Sequence, residues 1–195
     1  FYPNKNITTG EGGMVVTNSL ELAERSRSLR NLCFKKTSRF VHEEIGWNYR
    51  MTNMQAALGI AQLERLDESV KKKIEIGNLY YNKLKELDMI QLPVNNLTYA
   101  KNIFWVYGIV LNSKLGIAEN YIKKLAQNYI GSRPFFFPIH KQPVFLKKGL
   151  FQGEFHPNSE NIYKYGLYLP SGLAITAEQI DIVTNKLKRL IKNNL

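Results

Sequence analysis

A stretch of about 35 residues with helical periodicity runs from Asn53 to Leu87. Leu63, Leu66, Val70, Ile74, Gly77, Tyr81 and Leu84 recur there at spacings of three and four, which is one face of a helix. At 1.5 Å per residue such a helix is about 50 Å long. That is too long for one small domain, so the helix must bend or bridge two domains. Pro93 lies safely beyond its end.

The flanking segments read as shorter elements. Met14 to Thr17 is a β-branched run that predicts a strand. Asn18, with Glu21 three residues on, predicts the capping box of a helix reaching about Asn31, with apolar contacts from Leu22, Leu29 and Leu32. Residues 34 to 50 mix aromatic and basic side chains without a period and read as an ordered loop. Phe104 to Leu111 is a strong strand signal. Residues 117 to 129 predict a helix with Ile122, Leu125 and Tyr129 on one side. Four prolines between 131 and 157 argue against long elements there. A short strand is expected at Leu167 to Leu169. A last helix is expected after Thr176, boxed by Gln179, with Ile180, Val183, Leu187, Leu190 and Ile191 facing the core. This order gives an α/β chain in three parts: 1–52, the helical link 53–89, and a compact unit over 90–195.

Charge sets limits on partners. The chain of 195 residues carries a net charge of +11. Its lysines are scattered, as in Lys35-Lys36, Lys123-Lys124 and Lys147-Lys148. The run Lys71 to Lys73 would splay around a helix axis rather than form a stripe. The charge therefore reads as a solvated surface and not as a nucleic-acid track. No apolar run approaches the roughly 20 residues that span a bilayer. One cysteine, Cys33, cannot form an internal disulfide, which favours a reducing, cytoplasmic setting. No Cys pair or His cluster has metal-ligand spacing, so no metal is expected. His42 and His156 have no evident role.

Four segments carry candidate chemistry. The first reads Phe1-Tyr2-Pro3-Asn4-Lys5-Asn6-Ile7-Thr8-Thr9-Gly10-Glu11-Gly12-Gly13 and runs on through Met14 to Asn18. A neutral lysine amine condenses with a carbonyl, and glycines let a backbone turn tightly beside a ligand. By spacing alone, Lys5 is one lysine among many and the glycines are a simple turn. The second is Gly46-Trp47-Asn48-Tyr49-Arg50-Met51-Thr52-Asn53. An asparagine N–H₂ donates to a phosphate oxygen without adding charge. Asn48 could equally cap a turn, and Arg50 could be a surface charge. The third is Arg133-Pro134-Phe135-Phe136-Phe137-Pro138-Ile139-His140. Arginine grips a diphosphate with two prongs, aromatic faces suit a sugar or a base, and histidine titrates near neutrality. The plain alternative is aromatic core with an ordinary histidine. The fourth, Gly166-Leu167-Tyr168-Leu169-Pro170-Ser171-Gly172-Leu173, reads as structural.

Together, in this order, the four segments resemble the DegT/DnrJ/StrS family of nucleotide-sugar aminotransferases over nearly the whole chain. The resemblance implies the fold type I architecture of pyridoxal phosphate (PLP) enzymes, similar to aspartate aminotransferase. The chain would cover the end of the large PLP-binding domain (1–52), the interdomain helix (53–89) and the small C-terminal domain (90–195). By the same resemblance, Lys5 is the catalytic residue that holds PLP covalently. Asn48 binds the cofactor phosphate across a homodimer interface. Tyr2, Arg133 and His140 carry over as substrate contacts, while Arg50 has no assigned role. Glutamate is implied as amino donor and a 4-keto-6-deoxy nucleotide sugar, of the perosamine type, as acceptor. No nucleic acid or membrane partner is implied. A non-catalytic scaffold of the same fold and a basic nucleic-acid binder stand as the rival classes.

The family's acidic partner for the pyridine nitrogen, its ring-stacking aromatic and the serine before the Tyr2 segment have no match in this sequence. These 195 residues by themselves are therefore expected to show little or no transaminase activity. Incubation with PLP, glutamate and a keto sugar checks this, and robust turnover would refute it.

Overall fold

A computed structural model describes residues 1–35 and 37–194. Lys36, part of the Lys35-Lys36 pair and of the predicted 34–50 loop, lies outside the described residues. The chain divides into two compact units, Phe1–Glu68 and Ser69–Leu195.

The first unit holds α1 (Leu20–Arg30), α2 (Asn53–Glu64) and the start of α3 (Leu66–Leu84). Ser19, not Asn18, caps α1: its extended backbone aims Oγ at Leu22 N, 3.3 Å away. Thr52 and Gln55 close a reciprocal box on α2, with Gln55 N donating to Thr52 Oγ1 at 3.2 Å and Thr52 N to Gln55 Oε1 at 2.9 Å. The long predicted helix is interrupted at Arg65, where φ −104° and ψ 10° leave the helical region. Met14 to Thr17 does not form a strand. A strand needs a hydrogen-bonded neighbour, and among the described residues none pairs with it. Met14, Val15 and Val16 are consequently 73%, 74% and 86% exposed. Among its described residues this unit buries only Thr9 and Cys33, too little for a hydrophobic core of its own.

The second unit is built on β1 (Ile90–Gln91), a small hairpin of β2 (Asn96–Leu97) and β3 (Ala100–Lys101), and β4 (Tyr107–Leu111). Then come α4 (Ala118–Ala126), β5 (Arg133–Pro134), α5 (Pro143–Leu146), α6 (Pro157–Tyr165), β6 (Gly166–Leu169) and α7 (Ala177–Lys192). The main sheet is antiparallel, in the order β1-β4-β6-β5, with Tyr107 opposite Leu169 and Val110 opposite Gly166. Alternation along β4 sends Tyr107, Ile109 and Leu111 into the core and Gly108 and Val110 to the other face. The predicted strand start at Phe104 is too early: its φ of 49° is a left-handed turn, and its ring is buried against α3.

The buried face of α3 is Ile76, Gly77, Tyr80 and Leu84: Gly77 and Leu84 lie on the predicted stripe, and Tyr80 stands in place of Tyr81. The difference follows from packing: it is the Tyr80 ring that stacks on Tyr107. Gly77 lets the Phe104 ring lie on the helix backbone; a Cβ there would meet the ring at 2.4 Å. Tyr80 stacks on Tyr107 with centroids 4.7 Å apart, and Phe104 stacks on Tyr107 at 5.9 Å. Lys73 turns inward, unlike its exposed neighbours Lys71 and Lys72. Its Nζ donates to Trp105 O at 3.0 Å and Ser171 O at 2.6 Å, and burial pushes its pKa down. Lys83 pairs with Asp181 on α7. The Thr176–Gln179 box is formed, and Ile180, Val183, Leu187 and Ile191 are buried as expected, with Leu190 partly so. α4 stops at Ala126. Tyr129 sits beyond it at φ 59° and is wholly exposed rather than on the apolar side.

The two stacked phenols differ in one respect. Tyr80 OH donates to Pro170 O at 2.6 Å, whereas Tyr107 OH is buried without a hydrogen-bond partner. Tyr80→Phe should therefore cost about 1 kcal/mol. Tyr107→Phe should be neutral or stabilising, because it removes an unpaired buried hydroxyl. Denaturant unfolding of both variants measures this, and equal losses would contradict it.

Candidate functional site

Lys5 lies on an exposed turn of the first unit, with its backbone N donating to Tyr2 O at 3.1 Å. The loop after it is pinned from within. Thr8 Oγ1 donates to Phe1 O at 2.9 Å and accepts from Gly10 N at 3.0 Å. Thr9, buried, donates to Glu11 O at 2.5 Å. Gly10 has φ 79°, a left-handed conformation that a side chain would strain. Gly12 has φ 140°, and a Cβ there would meet Met51 Cε at 2.9 Å. The turn is thus fixed by its own hydroxyls and glycines, and Lys5 is exposed just ahead of it. Tyr2 is exposed at its start.

Asn48 lies against the end of α1, bridged antiparallel to Asn31. Trp47 N donates to Leu29 O (2.7 Å), Leu32 N to Trp47 O (3.1 Å) and Tyr49 N to Arg30 O (3.0 Å). Asn48 is exposed, and its Oδ1 accepts from Arg50 Nε at 3.0 Å. That contact gives Arg50 a role the motif left open: it takes up the amide oxygen, so the N–H₂ is the group left to donate outward. His42 Nδ1 donates to Leu32 O at 2.8 Å, and its ring lies on Phe34.

The other two predicted contacts lie in the second unit. Arg133 is exposed on β5, in register with Tyr168 of β6. Phe135 rests on the sheet where two glycines make room: a Cβ on Gly108 or Gly166 would meet its ring at 2.6 or 2.4 Å. Phe135 also packs against Tyr168, with centroids 4.4 Å apart. Phe137 packs edge-on to Tyr163 of α6 at 4.9 Å, while Phe136 is 75% exposed. An open apolar groove of about 330 Å³ lies on this sheet face, between Trp105, Val106, Gly108, Phe135 and Tyr168. It includes none of the predicted site residues.

His140 is 7% exposed, on the 3-10 turn Ile139–Lys141. Its Nε2 lies 3.1 Å from Glu160 Oε1, and Lys141 Nζ pairs with Glu160 Oε2. These two partners, Lys141 first and then His140, hold the Glu160 carboxyl well down, at about 2. An ionised carboxylate only accepts, so His140 Nε2 carries the proton. The ring of His156 meets that of His140 at 4.6 Å and 73°, and His156 Nε2 bonds Glu154 at 3.0 Å. Glu160 was not visible in the sequence as a partner. It lies twenty residues from His140 on α6, a helix announced only by Pro157 at its first turn. Among the described residues no group of three or more His, Cys, Asp or Glu side chains could hold a metal ion. No described helix is long and apolar enough to cross a membrane.

Residues 1–188 match the DegT/DnrJ/EryC1/StrS aminotransferase family. The chain is 35% identical over 189 residues to a GDP-perosamine synthase of Vibrio cholerae, covering 96% of this chain and 50% of the relative. It is 36% identical over 193 residues to a GDP-perosamine synthase of Caulobacter vibrioides, covering 98% and 51%. Among solved structures it superposes with a TM-score of 0.85 on the Helicobacter pylori aminotransferase PseC, involved in pseudoaminic acid biosynthesis. That match has 25% identity and covers 96% of this chain and 51% of PseC. The fold is therefore that of the corresponding half of a sugar aminotransferase. The chain spans about half the length of the curated relatives it matches.

The Glu160 ion pairs give a pH signature. The folded value lies below the ordinary 4.5, so the carboxylate stabilises the fold above about pH 4.5 and loses that contribution as pH falls toward 2. Glu160→Gln should remove that part of the acid limb and leave the rest of the pH–stability curve in place. Thermal melts between pH 2 and 7 check it; superimposable curves would contradict it.

Proposed function

The chain belongs to the DegT/DnrJ/EryC1/StrS aminotransferase family, and we propose that the protein it represents moves an amino group from glutamate to a 4-keto-6-deoxy nucleotide sugar of the perosamine type. The observation that carries the reading is Lys5, an exposed amine on a turn locked by Thr8, Thr9 and Gly10. The names of the relatives support the sugar class.

PLP is the cofactor of this reading, and it supplies the electron sink when bound. Lys5 Nζ holds it covalently. Released from the cofactor when the amine of glutamate takes its place, Lys5 Nζ would take the proton from the α-carbon of glutamate, and in the return half would give one to the sugar carbon that receives nitrogen. Asn48, oriented by Arg50, donates its N–H₂ to the cofactor phosphate. Arg133 meets the diphosphate of the nucleotide sugar, with Tyr2 and the loop around His140 as further substrate contacts. Residues 1–52 serve as the end of the large domain, 53–89 as the helical link and 90–195 as the small domain. A homodimer with sites shared across its interface follows the same reading, with Asn48 of one protomer completing the site of the other. The exposed apolar side chains of the first unit support a covered surface there. The setting of this reading is the cytoplasm, in keeping with a single cysteine, Cys33.

Borohydride reduction and peptide mapping test this on the protein expressed from its complete open reading frame. PLP label is expected on Lys5, and Lys5→Ala should lower turnover by at least about 100-fold. Label at another residue, or none, overturns the reading.

A further inference from the structure

The loop from Arg133 to Pro143 is anchored to α6 in a way the sugar-transfer reading does not require. At its start Arg133 and Pro134 pair with β6. In its middle Phe137 packs on Tyr163 of α6. At its end two consecutive residues, His140 and Lys141, are gripped by the two oxygens of one carboxylate, Glu160, also on α6. The His156 ring at the head of α6 closes the other side of His140. Between these anchors Arg133, Phe136 and Ile139 face outward.

We infer that Glu160 is a positioning residue: by holding His140 and Lys141 it fixes the loop against α6, so that Arg133 and Phe136 meet the nucleotide sugar already in place. This deepens, and rests on, the assignment of the loop to the sugar. The physical basis is preorganisation. A loop that is ordered before binding loses less freedom on binding. A bond between a carboxylate and a cation, or a buried ring N–H, is among the stronger ones a loop can use. Without the carboxylate, His140 is left with a buried, unpaired N–H, and the 3-10 turn loses its tie to α6. Glu160 itself touches no reacting atom in this account. His140, with Nε2 committed to Glu160, serves here as a tie between loop and helix rather than through that nitrogen as a donor to substrate.

Glu160→Gln keeps the shape and one acceptor but removes the charge. In the full-length protein it should raise the KM for the nucleotide sugar about tenfold, with kcat little changed. The half-reaction with glutamate, read from the cofactor spectrum, should keep its wild-type rate, because it does not use the loop. Amide hydrogen exchange should quicken at least about tenfold at Lys141 and Gln142, whose N–H groups bond Pro138 O and Ile139 O, while β4 and β6 stay protected. Nitrogen-15 spectra of labelled histidine should show the His140 proton on Nε2 in the wild type and no longer fixed there in the variant. An unchanged sugar KM with unchanged exchange overturns the inference, and so does a parallel fall in both half-reactions. Failure of the wild type to respond to glutamate would instead remove the aminotransferase reading. The exchange and histidine measurements would still decide whether Glu160 fixes the loop. If Glu160→Gln does not fold, Lys141→Met removes one of the two ties from an exposed side chain, and faster loop exchange is again expected.

Discussion

The stack of Tyr80 on Tyr107 is the contact on which the Ser69–Leu195 unit depends. It joins α3 to the central strand β4, and Phe104 extends it over Gly77. The rings bury large apolar areas at a geometry that favours offset stacking. Around them, Lys73 ties the Trp105 carbonyl to that of Ser171, and Tyr80 OH ties down Pro170. Two non-adjacent crossings of the chain are thus held by one helix. Because α3 fixes β4 and the turn after β6, it also fixes the sheet face on which Phe135 rests, and with it the base of the Arg133–Pro143 loop.

The Phe1–Glu68 unit is organised by a different constraint. It has hydrogen-bonded turns, two capped helices and a backbone ladder at Trp47 and Tyr49, but almost nothing buried. Local hydrogen bonds give it form, while Met14, Val15, Val16, Met54 and Ile60 stay exposed. Apolar surface of that extent is what an interface or a sheet neighbour covers. The candidate lysine sits within this unit, so its surroundings in an active enzyme depend on what covers those faces.

Lys5, Asn48, Arg133 and His140 stood out through the resemblance of their segments, in order, to one family; by residue type and spacing alone each had an ordinary reading as well. Their settings were less legible. Arg50 was an unassigned charge until its Nε was found on Asn48 Oδ1. His140 looked like a substrate contact, and the fold shows it buried against Glu160. The partner could not be read beforehand, because a contact across twenty residues leaves no periodic mark.

The sequence by itself determined the capping box at Thr176, the turn glycines, the face of α7 and the order of the motifs. All of these are set by neighbours within about four residues, where backbone geometry and side-chain reach suffice. The tertiary structure decided where the long helix breaks, which stripe of α3 is buried, that Met14 to Thr17 has no partner strand among the described residues, and which carboxylate holds the loop. Those outcomes turn on contacts between distant segments, and only packing selects among the several local arrangements the same residues permit.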